Sequence, residues 1–231
     1  MIRAILLDKD GTLTDFRATW QDWLPGTLQD LAQETGADPA RLGEVIGFDM
    51  TTGRIQAGAL FVTATGWDTA AAMAPEIGWP TERLSRWLAV RFRAVPQVPV
   101  TPVAPFLAAL QARGLSLGVL TNADEAEAVH HLEQMEALPH LQRVIGCDSG
   151  YGPKPEPAGA LAFADDLGLN PAEIAIVGDG LTDMGAARNA GMIAVAVLTG
   201  ALERAALAPH ADVVLRDITD LPAWLDARAI A

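Results

Sequence analysis

Cysteine is nearly absent from this 231-residue chain. Cys147 stands alone, which excludes an intramolecular disulfide and a cysteine-based zinc cluster. Its neighbours Val144, Ile145 and Gly146 are apolar and predict a buried structural thiol. Positive charge is also scarce: 16 Lys and Arg stand against 29 Asp and Glu, a net charge of −13. Nucleic-acid phosphates and anionic membranes repel such a chain, so neither is expected as a partner. No segment approaches the roughly 18 apolar residues of a membrane helix. Asp8, Lys9 and Asp10 interrupt the first apolar run before the core of a signal peptide could form. The cytoplasm is therefore the expected location. What the chain does have is apolar bulk, with half of its residues hydrophobic, enough to bury a sizeable core.

Short apolar runs recur along the sequence. Ala4-Ile5-Leu6-Leu7 leads into Asp8, and similar runs cover 115–121, 144–147, 174–178, 192–198 and 212–215. Each reads as a strand buried on both faces. Helical patterns separate them over 105–113, 124–136, 157–167 and 182–190, three of them followed directly by a glycine suited to a helix C-cap. Alternation of this kind predicts an α/β fold, a mainly parallel sheet with helices on both faces. The stretch 16–95 breaks the pattern. It holds five of the six tryptophans and no buried-strand run, and it reads as an α-helical insertion. Pro96, Pro99, Pro102 and Pro105 mark the return to the sheet. The expected domains are a catalytic core of residues 1–15 and 96–231 and an inserted helical cap of residues 16–95.

Ligands of open α/β sheets bind outside the carboxyl ends of the strands. The first strand ends in Asp8-Lys9-Asp10-Gly11-Thr12, the second in Thr121-Asn122, and the 174–178 strand in Asp179-Gly180 with Asp183 following; Lys154 lies between them in Gly152-Pro153-Lys154-Pro155. Carboxylates crowded into one cleft repel each other, by about 4 kcal/mol for two charges 4 Å apart at an effective dielectric near 20. Protons, basic partners or a cation must relieve that repulsion. Hard oxygen donors with room for water suit Mg²⁺. An aspartate is a competent nucleophile toward phosphorus, and a second carboxylate two residues on can move the proton of a leaving alcohol. Thr121, Asn122 and Lys154 offer donors and positive charge to phosphoryl oxygens. In the insertion, Arg54 of Thr51-Thr52-Gly53-Arg54 is a candidate partner for a distal anionic group of the substrate. Strand alternation places the Lys9 side chain away from the chemistry. His130 and His131 face different sides of a helix and are expected in surface or partly buried roles.

These four segments, in this order, resemble the motifs of the haloacid dehalogenase superfamily, and the likeness runs through essentially the whole chain. The resemblance implies a Rossmann-like core and a role for each residue. Asp8 would be nucleophile and metal ligand, and Asp10 the general acid/base with its carbonyl on the metal. Asp179 and Asp183 would complete a Mg²⁺ site, and Thr121 and Lys154 would hold the phosphoryl group. An insertion directly after the first motif is similar to the helical cap of the phosphoglycolate-phosphatase-like branch. The implied activity is hydrolysis of a small phosphorylated metabolite through an aspartyl-phosphate, with phosphoglycolate as the first substrate to consider. A sugar phosphomutase using the same intermediate is an alternative. A haloacid dehalogenase is another, although Asp10 and Asp183 argue against it. The pattern leaves monomer and homodimer equally open.

Overall fold

The computed structural model describes residues 1–230. Six of its strands form one parallel sheet: β1 (Ala4–Leu7), β4 (Ser116–Leu120), β5 (Arg143–Ile145), β6 (Ile174–Gly178), β7 (Ile193–Ala196) and β8 (Val213–Val214), in the order β5-β4-β1-β6-β7-β8. All five ladders are parallel. The apolar runs form these strands because both faces are covered. Ile5, Leu7, Leu117, Val119, Ala175 and Val177 face a core closed by α6 (Val103–Gln111) and α11 (Leu221–Ile230). Leu6, Ile174, Ile176 and Ala194 face a second core closed by α8 (Ala158–Leu167) and α9 (Leu181–Ala190). The remaining core helices are α7 (Glu125–Gln134) and the short α10 (Arg204–Leu207). Pro105 falls in the first turn of α6, where its missing N–H breaks no helical bond. No helix among the described residues is long and apolar enough to cross a membrane.

Successive strands move outward from β1 on one side (β4, β5) and then on the other (β6, β7, β8). The order therefore reverses at β1, and the crevice at its carboxyl end is the expected ligand site. Register completes the placement. Leu7 lies opposite Val119 of β4 and Val177 of β6, so the residues just past all three strands emerge side by side.

The stretch from Phe16 to Val95 has a hydrophobic core of its own, built around Trp20, Leu28, Leu42, Phe48, Met73, Leu84 and Phe92. A five-residue π-helical turn (Arg17–Gln21) leads into α1 (Leu24–Thr35), α2 (Pro39–Ile46), α3 (Leu60–Thr63), α4 (Gly66–Ile77) and α5 (Thr81–Arg93). The stretch is not purely helical, because β2 (Phe48–Asp49) and β3 (Arg54–Ile55) form a small antiparallel hairpin. That hairpin is too short to leave an apolar run in the sequence. Its turn is held by the Asp49 carboxylate, which accepts from the backbone N–H groups of Thr51 (2.8 Å) and Thr52 (3.2 Å). The tryptophans divide: Trp20 is buried, Trp67 is exposed, and Trp79 and Trp87 carry stacked guanidinium groups from Arg83 and Arg91. The outgoing and returning chains bond to each other where they cross, through Asp15 N–H to the Val98 carbonyl (2.9 Å) and Val100 N–H to the Leu13 carbonyl (3.0 Å).

Candidate active site

Asp8, Asp179 and Asp183 meet at the carboxyl edge of the sheet, with a carboxylate oxygen from each within 4.8 Å of the others, and all three are buried. Asp8 follows β1 and Asp179 follows the neighbouring β6, while Asp183 lies in the first turn of α9. The Asp183 carboxylate accepts from the N–H of Gly180 at 2.9 Å, which fixes its rotamer. Lys154 bridges the group, its Nζ lying 2.8 Å from Asp8 Oδ1 and 2.6 Å from Asp183 Oδ1.

One ammonium does not neutralise three carboxylates. Burial pushes Asp8 up to about 7, against the pull of Lys154 and with the repulsion of Asp183 behind it. Burial, and then the charges of Asp8 and Asp183, push Asp179 well above the ordinary range. For Lys154 burial opposes the charge, but the two carboxylates outweigh it and raise the ammonium above its usual value. The cluster thus holds excess negative potential on hard oxygen atoms, and such a donor set fits a divalent cation.

Asp10 faces the same crevice but is held differently. Trp20 Nε1 donates to its Oδ1 at 3.0 Å, and the ammonium of Lys9 lies 2.6 Å from its Oδ2. Burial alone would raise its pKa; the charge and hydrogen bond of Lys9, with the Trp20 bond, outweigh burial and lower it. The expectation that Lys9 points away from the chemistry is corrected here. Strand alternation does not reach Lys9, because β1 ends at Leu7 and the chain then curls: the Lys9 carbonyl accepts from the N–H groups of Leu13 (3.0 Å) and Thr14 (3.1 Å).

Lys9 is fully buried and touches two groups of α7, Glu127 Oε1 at 3.8 Å and His131 Nδ1 at 3.2 Å. An ammonium can only donate, so Nδ1 accepts, and His131 is the neutral tautomer with its proton on Nε2, placed to donate to the Arg93 carbonyl at 3.2 Å. Burial and then Lys9 hold His131 down to about 4, while burial pushes Glu127 up to about 7. His131 is thus a core residue, not a surface one.

Thr121 follows β4 and is buried; its Oγ accepts from the N–H of Ala123 at 3.2 Å. Asn122 joins segments together. Its Oδ1 accepts from the Lys154 N–H at 2.8 Å, and its Nδ2 donates to the Lys154 carbonyl and to the Thr63 carbonyl of the insertion, both at 3.2 Å. Cys147 is half-buried, its Sγ 3.4 Å from Asp124 Oδ1, and burial pushes the thiol up to about 12.

A cavity opens above these residues. Its floor includes Asp8, Asp10, Thr121, Lys154, Asp179 and Asp183, and its roof is made by the insertion. Arg54 is not there. It stands exposed on β3, outside the cavity lining. The sequence also gave no sign of Gly200, in the turn after β7. A Cβ there, built on the existing backbone, would fall inside the Asp179 carboxylate. Only the folded chain brings these two residues together.

The profile of the haloacid dehalogenase-like hydrolases matches residues 2–191 of the chain. The chain belongs to that family, and within it is a hydrolase of the phosphatase kind, on the phosphoglycolate-phosphatase-like branch. It is 32% identical over 97% of its length to a Rhodospirillum rubrum protein named phosphoglycolate phosphatase, covering 91% of that protein. It is 30% identical to a Chromobacterium violaceum protein of the same name, with 95% of each chain covered. Among solved structures, CbbY from Rhodobacter sphaeroides in complex with phosphate superposes with a TM-score of 0.74 at 20% identity, over 96% of both chains.

Proposed function

We propose that the protein is a Mg²⁺-dependent phosphomonoesterase acting on a small phosphorylated metabolite through an aspartyl-phosphate. The observation that carries this reading is the convergence of three buried carboxylates and one committed ammonium at the sheet's switch point, with a second carboxylate held apart from them. Asp8, Asp179, Asp183 and the Asp10 carbonyl would hold the ion. Bound there, Mg²⁺ would offset the charge of the carboxylates and of the phosphate brought against them.

The steps belong to the chain's own residues. Asp8 attacks phosphorus, and the bond from phosphorus to the leaving oxygen breaks as Asp10 gives that oxygen a proton. Lys9 and Trp20 favour the base form of Asp10. A phosphate group beside it opposes that charge and raises its proton affinity, so Asp10 takes up one proton from solvent as the substrate binds and carries it to the leaving oxygen. Asp10 then takes a proton from water, which attacks the aspartyl-phosphate and releases inorganic phosphate and free Asp8. Thr121 and Lys154 hold the phosphoryl oxygens, Asn122 holds the Lys154 loop, and residues 16–95 act as a cap that keeps bulk water out during the first step. The relatives' shared name makes phosphoglycolate the reference substrate.

The test is phosphate release from a panel of phosphomonoesters, with Mg²⁺ and with EDTA, by the wild type and Asp8→Asn. Release that requires Mg²⁺ and is lost in the variant supports the reading. Rearrangement of a sugar phosphate without release would turn it to a mutase.

A further inference from the structure

The floor of the cavity is polar and the roof is not. The insertion contributes Phe16, Trp20, Phe61, Val62, Leu88 and Phe92, joined by Ala64, Ala89 and the hydroxyl residues Thr65, Thr69 and Ser85. The aromatic rings form one cluster, Phe61 lying 5.4 Å from Trp20 and 5.9 Å from Phe92 between centroids, edge to face. Phe61 is only partly covered by its neighbours. Two of the three hydroxyls are already used inside their own helix: Thr65 Oγ exchanges bonds with Asp68 (2.8 and 3.1 Å), and Thr69 Oγ donates to the Thr65 carbonyl (3.0 Å). That leaves Ser85.

Charge is distributed just as unevenly. Among the described residues that line the cavity, Lys154 is the one cation, and it is bound to Asp8 and Asp183 at the phosphoryl end. The other charged lining residues are carboxylates, including Asp124 and Glu127 on the α7 wall. A carboxylate on the far end of a substrate would face these carboxylates and meet no positive partner. An unpaired buried charge costs several kcal/mol. An uncharged apolar body would instead gain roughly 25 cal/mol for each Å² it buries, and an aromatic ring would find ring edges and faces to pack on.

From this we infer that, given the phosphatase reading above, the substrate is the phosphomonoester of an uncharged, largely apolar alcohol, and that Phe61, Leu88 and Phe92 select it over carboxylate-bearing esters such as phosphoglycolate. The reference substrate is then a poor one for this chain, and specificity is set by which groups the roof lacks as much as by those it has.

Benzyl phosphate and phosphoglycolate both leave as alkoxides, so they separate the roof's preference from the chemistry. With Mg²⁺, kcat/KM for benzyl phosphate is expected to exceed that for phosphoglycolate at least 50-fold. Ser85→Arg, which places a cation in the roof on a half-exposed helix face, is expected to narrow that ratio at least 10-fold. Binding gives a readout free of turnover. In Asp8→Asn with Mg²⁺, calorimetry should show 2-phenylethylphosphonate binding at least 10-fold tighter than 3-phosphonopropionate. A preference for phosphoglycolate and 3-phosphonopropionate, with Mg²⁺-dependent phosphate release intact, would overturn the inference and leave the phosphatase standing. Hydrolysis of no phosphomonoester at all would overturn both.

Discussion

Lys9 and Lys154 are the only lysines in the chain, and both are buried beside the carboxylates of the crevice. They divide the site electrostatically. Lys154 serves Asp8 and Asp183, and Lys9 serves Asp10 and Glu127. Removing one partner of a buried pair leaves an uncompensated charge, typically at a cost of 3–5 kcal/mol. Lys9→Met should therefore lower the urea-unfolding free energy by about 3 kcal/mol or more. Where the variant remains folded, it should also lower kcat at least 100-fold, because Asp10 loses the partner that orients it. Unchanged kcat in folded Lys9→Met would remove Lys9 from the mechanism. His131 supplies a pH signature. It is buried neutral with its pKa held at about 4 against an ordinary 6.5, so the unfolded chain binds its proton first. The contribution of neutral His131 to stability is complete above pH 6.5 and is lost as pH falls toward 4. Between pH 7.5 and 5 the wild type should lose about 2 kcal/mol relative to His131→Gln. Glu127 titrates with the opposite slope in much of this range, so the difference between the two proteins is the quantity to read. Parallel pH profiles would mean that His131 titrates normally in the fold.

Among the elements, the turn after β7 bears on the carboxylate cluster in a way that no motif announces. Gly200 packs against the Asp179 carboxylate so closely that a methyl group has no room, and the adjacent Thr199 hydroxyl donates to the Gly11 carbonyl at 2.6 Å. Gly200→Ala must displace Asp179 or the turn. The Mg²⁺ concentration for half-maximal activity should rise at least 10-fold, with the far-UV circular dichroism unchanged; an unaltered requirement would show that the turn yields instead. Strand ends explain why the motif residues could be read from the sequence and their neighbours could not. Asp8, Thr121 and Asp179 each follow an apolar run, and parallel register alone brings such positions together. Lys9 and Gly200 sit in turns, where direction depends on hydrogen bonds that leave no periodicity. Arg54 failed for a related reason. A cation in a polar loop can be aimed anywhere, and the hairpin aims it at solvent.

At the scale of the whole molecule, the acidic chain concentrates its unrelieved repulsion at one point. Asp179 is held far above its ordinary pKa by burial and by Asp8 and Asp183. Asp179→Asn should make the metal-free protein more stable, by about 1–2 kcal/mol on the scale of a relieved charge contact, while abolishing Mg²⁺-dependent activity. Saturating Mg²⁺ should raise the wild-type Tm, by the equivalent of about 2.7 kcal/mol at 100 times Kd, and leave the variant's nearly unchanged. Equal Tm shifts in the two proteins would place the ion elsewhere.

The apolar runs determined the parallel sheet, and the order of four short motifs determined the class of chemistry, because buried strands and strand-end carboxylates are local patterns that a linear chain displays directly. The hairpin within the insertion, the pairing of Lys9 with Asp10, the fit of Gly200 to Asp179 and the aromatic roof, which holds no cation among the described residues, were decided by tertiary structure. The hairpin and the Lys9 pairing depend on tight turns whose hydrogen bonds leave no periodicity, the other two on where distant segments come to lie, and hydrophobic periodicity encodes which face of a segment is buried but not which side chains it will meet there.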